Sequence, residues 1–189
     1  MSMNETHRFD NPDFPYGEYP GEGNFSSARR REWLQLLREL PDQLESAVVD
    51  LTPAQLATCY RRWTITQIVH HLADAQLNWF LRFKQAMTML RPTIMPFDED
   101  VWTELADAHS ADIRPSLQII RGINARWYEL CQYMPDEDFA RVMHHPQRTE
   151  DVSLDQALAL STWHTYHHLS QIQWLRKNRL VIESVETAV

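Results

Sequence analysis

The side chains in this sequence best suited to chemistry are its histidines. There are nine, and five of them stand in two short motifs, His70-His71 and Trp163-His164-Thr165-Tyr166-His167-His168. In the second motif His164 and His168 are four residues apart. On an α-helix that spacing stacks two imidazoles on one face, leaning the same way, which makes a two-toothed grip for a metal ion. At about 100° per residue, Leu154, Ala157, Leu158, Ser161, Thr165, Ile172 and Leu175 define the inward stripe of this helix. His164 and His168 fall on or beside it, His167 points away, and the small Ser161 and Thr165 leave room for an ion and a ligand. In the first motif adjacent residues must point about 100° apart. His71 lies on the inward edge near Ile68 and Ala75, whereas His70 points to the opposite side, outward or toward a neighbouring segment.

His71, His164 and His168 are therefore the candidate metal ligands. Gln67, Asn78 and Arg82 run along the same edge as His71, with Asp74 slightly further out, and Asn124 interrupts the apolar stripe of a third helix. Gln67, Asn78 and Asn124 are the candidates to orient the imidazoles by hydrogen bonding, and Asp74, Asn78 and Arg82 are the candidates for catalytic roles. A single inward histidine is ordinarily a hydrogen-bonded core residue. The metal reading rests on three of them from two helices amid polar groups. No HExxH, CxxC or EF-hand pattern accompanies them, and there is no four-carboxylate set for a di-iron bundle. His7, His109, His144 and His145 fall in loops and read as solvated, and Asp98-Glu99-Asp100 reads as a solvated turn with capping roles rather than a calcium site.

The elements that must hold these residues are helices. Trp33, Leu36, Leu37, Leu40, Leu44, Ala47 and Val48 recur at spacings of three and four, predicting a first helix from Ser26 to about Val49 with a bend at Pro41. Leu51-Thr52-Pro53 connects it, through a possible short turn of helix, to a second helix that Thr64 and Gln67 open as a capping box and that reaches about Met89. Residues 91–112 carry Pro92 and Pro96 and cannot continue it, so they form a long connection with a possible short helix near Trp102. A third helix runs from about Arg114 to Met134. After a polar connection, Ser153 and Gln156 cap a fourth that ends near Asn178. No stretch alternates long enough to make a sheet. Four rods roughly 30 to 39 Å long suit an all-α four-helix bundle. The expected organisation is an extended aromatic arm over 1–25, packed through Phe9, Phe14, Tyr16, Tyr19 and Phe25, a bundle over 26–180 and a tail over 181–189.

Composition narrows the function. The chain has 189 residues, enough for one sizeable core, and a formal charge of −8 with no basic run, which speaks against nucleic acid or an anionic membrane as partner. Small-molecule substrates fit better. Four glycines leave no room for a phosphate-cradling loop, and no stretch is apolar for long enough to span a bilayer. Cys59 and Cys131 have no CxxC spacing and the start lacks a signal-peptide core, so a cytoplasmic setting is expected.

Three segments, Trp63-Thr64-Ile65-Thr66-Gln67-Ile68-Val69-His70-His71-Leu72-Ala73-Asp74, Pro92-Thr93-Ile94-Met95-Pro96-Phe97-Asp98-Glu99 with Trp102, and Trp163 to His168, resemble in this order the DinB superfamily, and within it the YfiT-like metal-dependent hydrolases. The resemblance extends from Tyr16-Gly17-Glu18-Tyr19-Pro20 to the fourth helix. It implies an up-down-down-up bundle with a long crossover, a divalent ion, zinc or nickel, held by three histidines, and a homodimer. The ligands it implies fall on His71, His164 and His168, the residues selected by helix faces. Two positions depart from the family pattern: Arg61-Arg62 stand where glycines are expected, and Phe97 stands where a tyrosine is usual. The implied activity is hydrolysis by an activated water, with Asp74 or a crossover carboxylate as proton shuttle. The alternative is a thiol S-transferase of the bacillithiol type, with Arg82 and Arg121 holding the carboxylates of the thiol cofactor. A second alternative is a non-catalytic bundle whose metal is closed off by a fourth protein ligand.

Overall fold

A computed structural model describes residues 13–19, 25–147 and 151–180. Its long helices are α1 (Ser27–Val48), α3 (Ile65–Thr88), α5 (Arg114–Gln132) and α6 (Leu154–Asn178), with single-turn helices α2 (Pro53–Leu56) and α4 (Glu99–Trp102) in the connections. α1 runs through Pro41 without interruption, and the proline is buried. Both expected capping boxes form: Thr64 and Gln67 exchange side-chain and backbone hydrogen bonds at the start of α3, and Ser153 and Gln156 do so at α6. A third, Thr52 with Gln55, starts α2. Each box satisfies two donors that an α-helix start leaves open, which pins the first residue and hence the rotation of the whole helix.

Two antiparallel ribbons, too short to show in a periodicity of two, brace the connections. β1 (Cys59–Tyr60) pairs with β2 (Trp63–Thr64), and β3 (Val142–His144) pairs with β4 (Asp151–Ser153). Arg61, in the turn between β1 and β2, takes the left-handed conformation at φ 57°, the place where glycine was expected.

The apolar contacts give the helix directions. One buried cluster joins Leu44 and Val48 near the end of α1, Ile68 and Val69 near the start of α3, Ile120 of α5, and Ile172 and Leu175 near the end of α6. The other joins Leu37 at the middle of α1 with Trp33 and Leu34 in its first half, Phe83 and Ala86 near the end of α3, Trp127 and Cys131 late in α5, and Leu154 and Leu158 at the start of α6. α1 and α6 therefore run one way and α3 and α5 the other, the up-down-down-up order. Parallel α3 and α5 require the connecting segment to return along the bundle, so residues 89–113 form the long crossover.

The described part of the arm packs on α6. Tyr16 meets Tyr166 at 5.6 Å between centroids, Tyr19 meets Trp163 at 5.5 Å, Phe14 meets His167 at 5.9 Å, and the Trp163 indole donates to the Gly17 carbonyl. Phe25 packs on Trp33 of α1. Phe9, His7 and the tail over 181–189 lie outside the described residues. No helix is long and apolar enough to cross a membrane among the described residues.

Candidate metal centre

The capping box of α3 sets His71 two turns into the helix, and the box of α6 sets His164 and His168 on the helix face that meets it. The structure brings these three together: one nitrogen from each lies within 4.8 Å of the others. His71 Nε2 and His164 Nε2 are 3.2 Å apart, and the ring centroids are separated by 4.7 to 5.1 Å. His71 and His168 are buried and His164 keeps an edge open. Burial, followed by the charge that each neighbouring imidazole would carry, lowers His71 and His164 to about 3 and pulls His168 well down. Three converging imidazoles are thus held neutral with their lone pairs available, as metal ligands must be.

The donor set fits a divalent ion. With bonds of about 2.0 to 2.1 Å, tetrahedral ligand nitrogens stand about 3.3 Å apart, close to the observed pair. His168 Nδ1 donates to Gln171 Oε1 at 2.8 Å, which leaves Nε2 free to coordinate. The Gln171 amide in turn donates to His167 Nε2 at 2.8 Å. Trp63, from β2, covers the group, 4.7 Å from the His71 ring and stacked 5.7 Å from that of His168.

The expected orienting residues are occupied elsewhere. Gln67 completes the α3 capping box and donates to the Thr103 carbonyl of the crossover. Asn78 donates to the Asp74 carbonyl one turn back, and Asn124 donates to the Leu37 carbonyl, joining α5 to α1. Gln171 takes the role instead. A polar residue three positions after His168 and four after His167 shares their face, and that spacing was the available signal. Ser161 and Thr165 do more than leave room: Thr165 accepts from Gln76 of α3, tying the two helices together.

His70 points away from the cluster but is not solvated. Its Nε2 faces the Ser110 carbonyl at 2.9 Å and its Nδ1 faces the Ser116 hydroxyl at 2.7 Å. A carbonyl only accepts, so Nε2 carries the proton and Nδ1 accepts from Ser116. His70 fastens the end of the crossover and the first turn of α5 to α3. His167 lies between Trp163, stacked at 5.0 Å, and Phe14.

A cavity of about 410 Å³ opens on His71 and His164, lined also by Trp79, Arg82, Phe97, Glu99 and His145. Of the catalytic candidates only Arg82 lines it. Neither Asp74, four residues after His70, nor Asn78, seven residues after His71, is among its lining residues, and burial and the Asp107 charge raise Asp74 to about 6. Arg121 pairs at the surface with Asp42 and Glu45 and cannot serve this cavity. His145 lines it rather than standing in solvent, and His144 pairs with Asp151 on the β3–β4 ribbon. His109 is exposed in a turn of 3₁₀ helix. Asp98 caps α4 and Asp100 pairs with Arg62, while Glu99 reaches the cavity mouth through a crossover path that no local pattern reveals.

The family described as the DinB superfamily matches residues 27–172. "Putative metal-dependent hydrolase YfiT" of Bacillus subtilis (strain 168) is 39% identical over 169 residues, 88% of this chain and 95% of the relative. A "Putative metal-dependent hydrolase" of Geobacillus thermodenitrificans (strain NG80-2) is 42% identical over 168 residues, 88% of this chain and 94% of the relative. A solved structure of YfiT from Bacillus subtilis, described as "a probable metal-dependent hydrolase with an unusual four-helix bundle topology", superposes with a TM-score of 0.83 at 39% identity, covering 88% of this chain and 97% of that one.

Proposed function

The chain belongs to the DinB superfamily, and from that premise we propose that it is a metal-dependent hydrolase in which His71, His164 and His168 hold one divalent ion, zinc or nickel. The observation that carries this reading is three neutral imidazoles from two helices, converging within 4.8 Å, two of which, His71 and His164, line an open cavity. A bound ion would supply Lewis acidity and a water acidified toward neutral pH. The chain's own residues do the rest. Gln171 holds His168 with Nε2 toward the cluster, Trp63 keeps solvent from its roof, and the walls contributed by Trp79 and Phe97 offer apolar surface to a small-molecule substrate. Glu99 replaces Asp74 as the candidate proton carrier, because it is a carboxylate that lines the cavity and Asp74 is not among the lining residues. Among the described residues no fourth histidine, cysteine or carboxylate joins the cluster, which favours an open site over a closed structural one.

The same reading carries a cytoplasmic setting and a homodimer, the latter measurable by light scattering. The decisive experiment is reconstitution with zinc and with nickel followed by a turnover panel of esters, amides and thiol-plus-electrophile pairs. Metal-dependent hydrolysis without added thiol is the expected result. Product formed only when a thiol is present would replace hydrolysis by thiol transfer, and no ion bound would remove the reading.

A further inference from the structure

Among the described residues, Arg82 is buried with no carboxylate in ion-pair contact, and only the charge of Glu99 in the same cavity acts on it from a distance. Arg82 follows His71 on α3 by eleven residues, on the same face, and only 7% of its surface is exposed. Its Nη2 donates to the Met95 carbonyl at 2.7 Å, and its guanidinium lies 5.4 Å from the Trp79 ring and 5.7 Å from the Phe97 ring. Its Nε is buried and finds no acceptor. The partly buried Arg30 and Arg176 are ion-paired, with Asp155 and Asp50; Arg82 is not, among the described residues. One carbonyl and two aromatic faces return only part of what a guanidinium loses on leaving water. A site that keeps such a group unpaired and open to a cavity is built for an anion that arrives from outside.

That cavity is the one containing His71 and His164. Eleven residues of helix separate the Cα atoms of His71 and Arg82 by about 16 Å, and an arginine that leans toward the helix N-terminus shortens the gap. Resting on the three-histidine reading above, we propose that the pocket takes small acyl substrates bearing one carboxylate several bonds from the reacting carbonyl, and that Arg82 binds this carboxylate. The planar fork of a guanidinium matches a carboxylate with two parallel hydrogen bonds. Trp79 and Phe97 flank the intervening chain. Exposed Glu99 at the mouth places a negative charge beside the pocket and disfavours a second anionic group there. With a net charge of −8 the molecule has no field that draws anions from a distance, so the recognition is local.

Calorimetric titration of metal-free protein with hexanoate and with 1-hexanol isolates the anionic end. Hexanoate is expected to bind on the order of tenfold tighter than the alcohol, with the difference lost in Arg82→Gln. Undetectable hexanoate binding, equal binding of acid and alcohol, or a preference that survives Arg82→Gln overturns the proposal. Arg82 also ties Met95 to α3, so the variant is checked by circular dichroism; the acid–alcohol comparison on the unaltered protein decides the matter if the variant does not fold. Zinc-loaded protein is then titrated with 6-mercaptohexanoate and 6-mercaptohexanol, which share the thiol and differ in the carboxylate. Failure of zinc to bind removes the metal reading and leaves the hexanoate result standing. Zinc binding with no preference for the acid removes only the role of Arg82.

Discussion

His70 and His71 are neighbours in the chain and do different work, because one residue of helix turns a side chain by about 100°. His71→Ala, His164→Ala and His168→Ala are each expected to abolish stoichiometric zinc or nickel binding after dialysis. His70→Ala is expected to keep its metal and lose about 1 to 3 kcal/mol of stability, since the Ser116 hydroxyl and Ser110 carbonyl lose their partner. Gln171→Leu should lower metal affinity by about 10 to 100-fold by freeing the His168 ring. Asp74 makes the opposite case, a residue whose replacement helps. Its carboxyl is raised from 3.8 to about 6, first by burial and then by the Asp107 charge. A folded-state pKa above the unfolded one means that its contribution is whole below about 4 and is lost as pH rises through about 6. Asp74→Asn is therefore expected to stabilise the protein at pH 7 by about 1 kcal/mol, a figure reduced because the group is half exposed, and to change nothing in acid or in metal content. Denaturation midpoints at the two pH values measure it.

Among the elements, the β1–β2 ribbon carries backbone strain in its turn. Arg61 holds φ 57°, a conformation that costs a residue with a Cβ roughly 1 to 2 kcal/mol, in return for an exposed ion pair with Asp13 of the arm. Arg61→Gly should relieve that cost and give up little, raising stability by about 0.5 to 1 kcal/mol in thermal unfolding. If the variant were instead less stable, the contact with Asp13 would be holding the arm more firmly than an exposed pair ordinarily does. The ribbon matters to the site because β2 delivers Trp63 onto His71 and His168. The crossover matters equally. Gln67 and His70 fasten its far end, Arg82 its near end, and the cavity wall lies between these anchors.

For the molecule as a whole, the two apolar clusters join all four long helices through buried aliphatic and aromatic side chains. Chelation is expected to leave the helical circular dichroism intact while lowering the melting temperature, because the ion adds binding energy to a bundle that already has its core. Loss of helicity on chelation would mark the ion as structural. In the metal-free protein the depressed pKa values of His71 and His164 mean that the unfolded chain takes up protons from about pH 6.5 downward that the native state refuses. Its stability should accordingly fall as the pH drops from about 6.5 toward 3, and bound metal should be released over the acid part of that range.

Much of this was legible in the sequence. The four long helices and both capping boxes lie within a residue or two of their expected ends, because helical periodicity and cap chemistry are local. The choice of His71 over His70 was local too, a matter of angle around one axis. What the sequence could not supply were contacts between segments far apart in the chain. Gln67, Asn78 and Asn124 are polar on inward faces, but which partner each meets depends on how the helices are rotated and where the crossover returns. For the same reason Asp74 and Arg121 left the list of candidates while Glu99, His145 and Gln171 joined the site. A helix determines which of its side chains share a face; only the packing of four helices and a returning crossover determines what that face meets, because those contacts are set by steric fit and hydrogen bonding between residues with no neighbourhood in sequence.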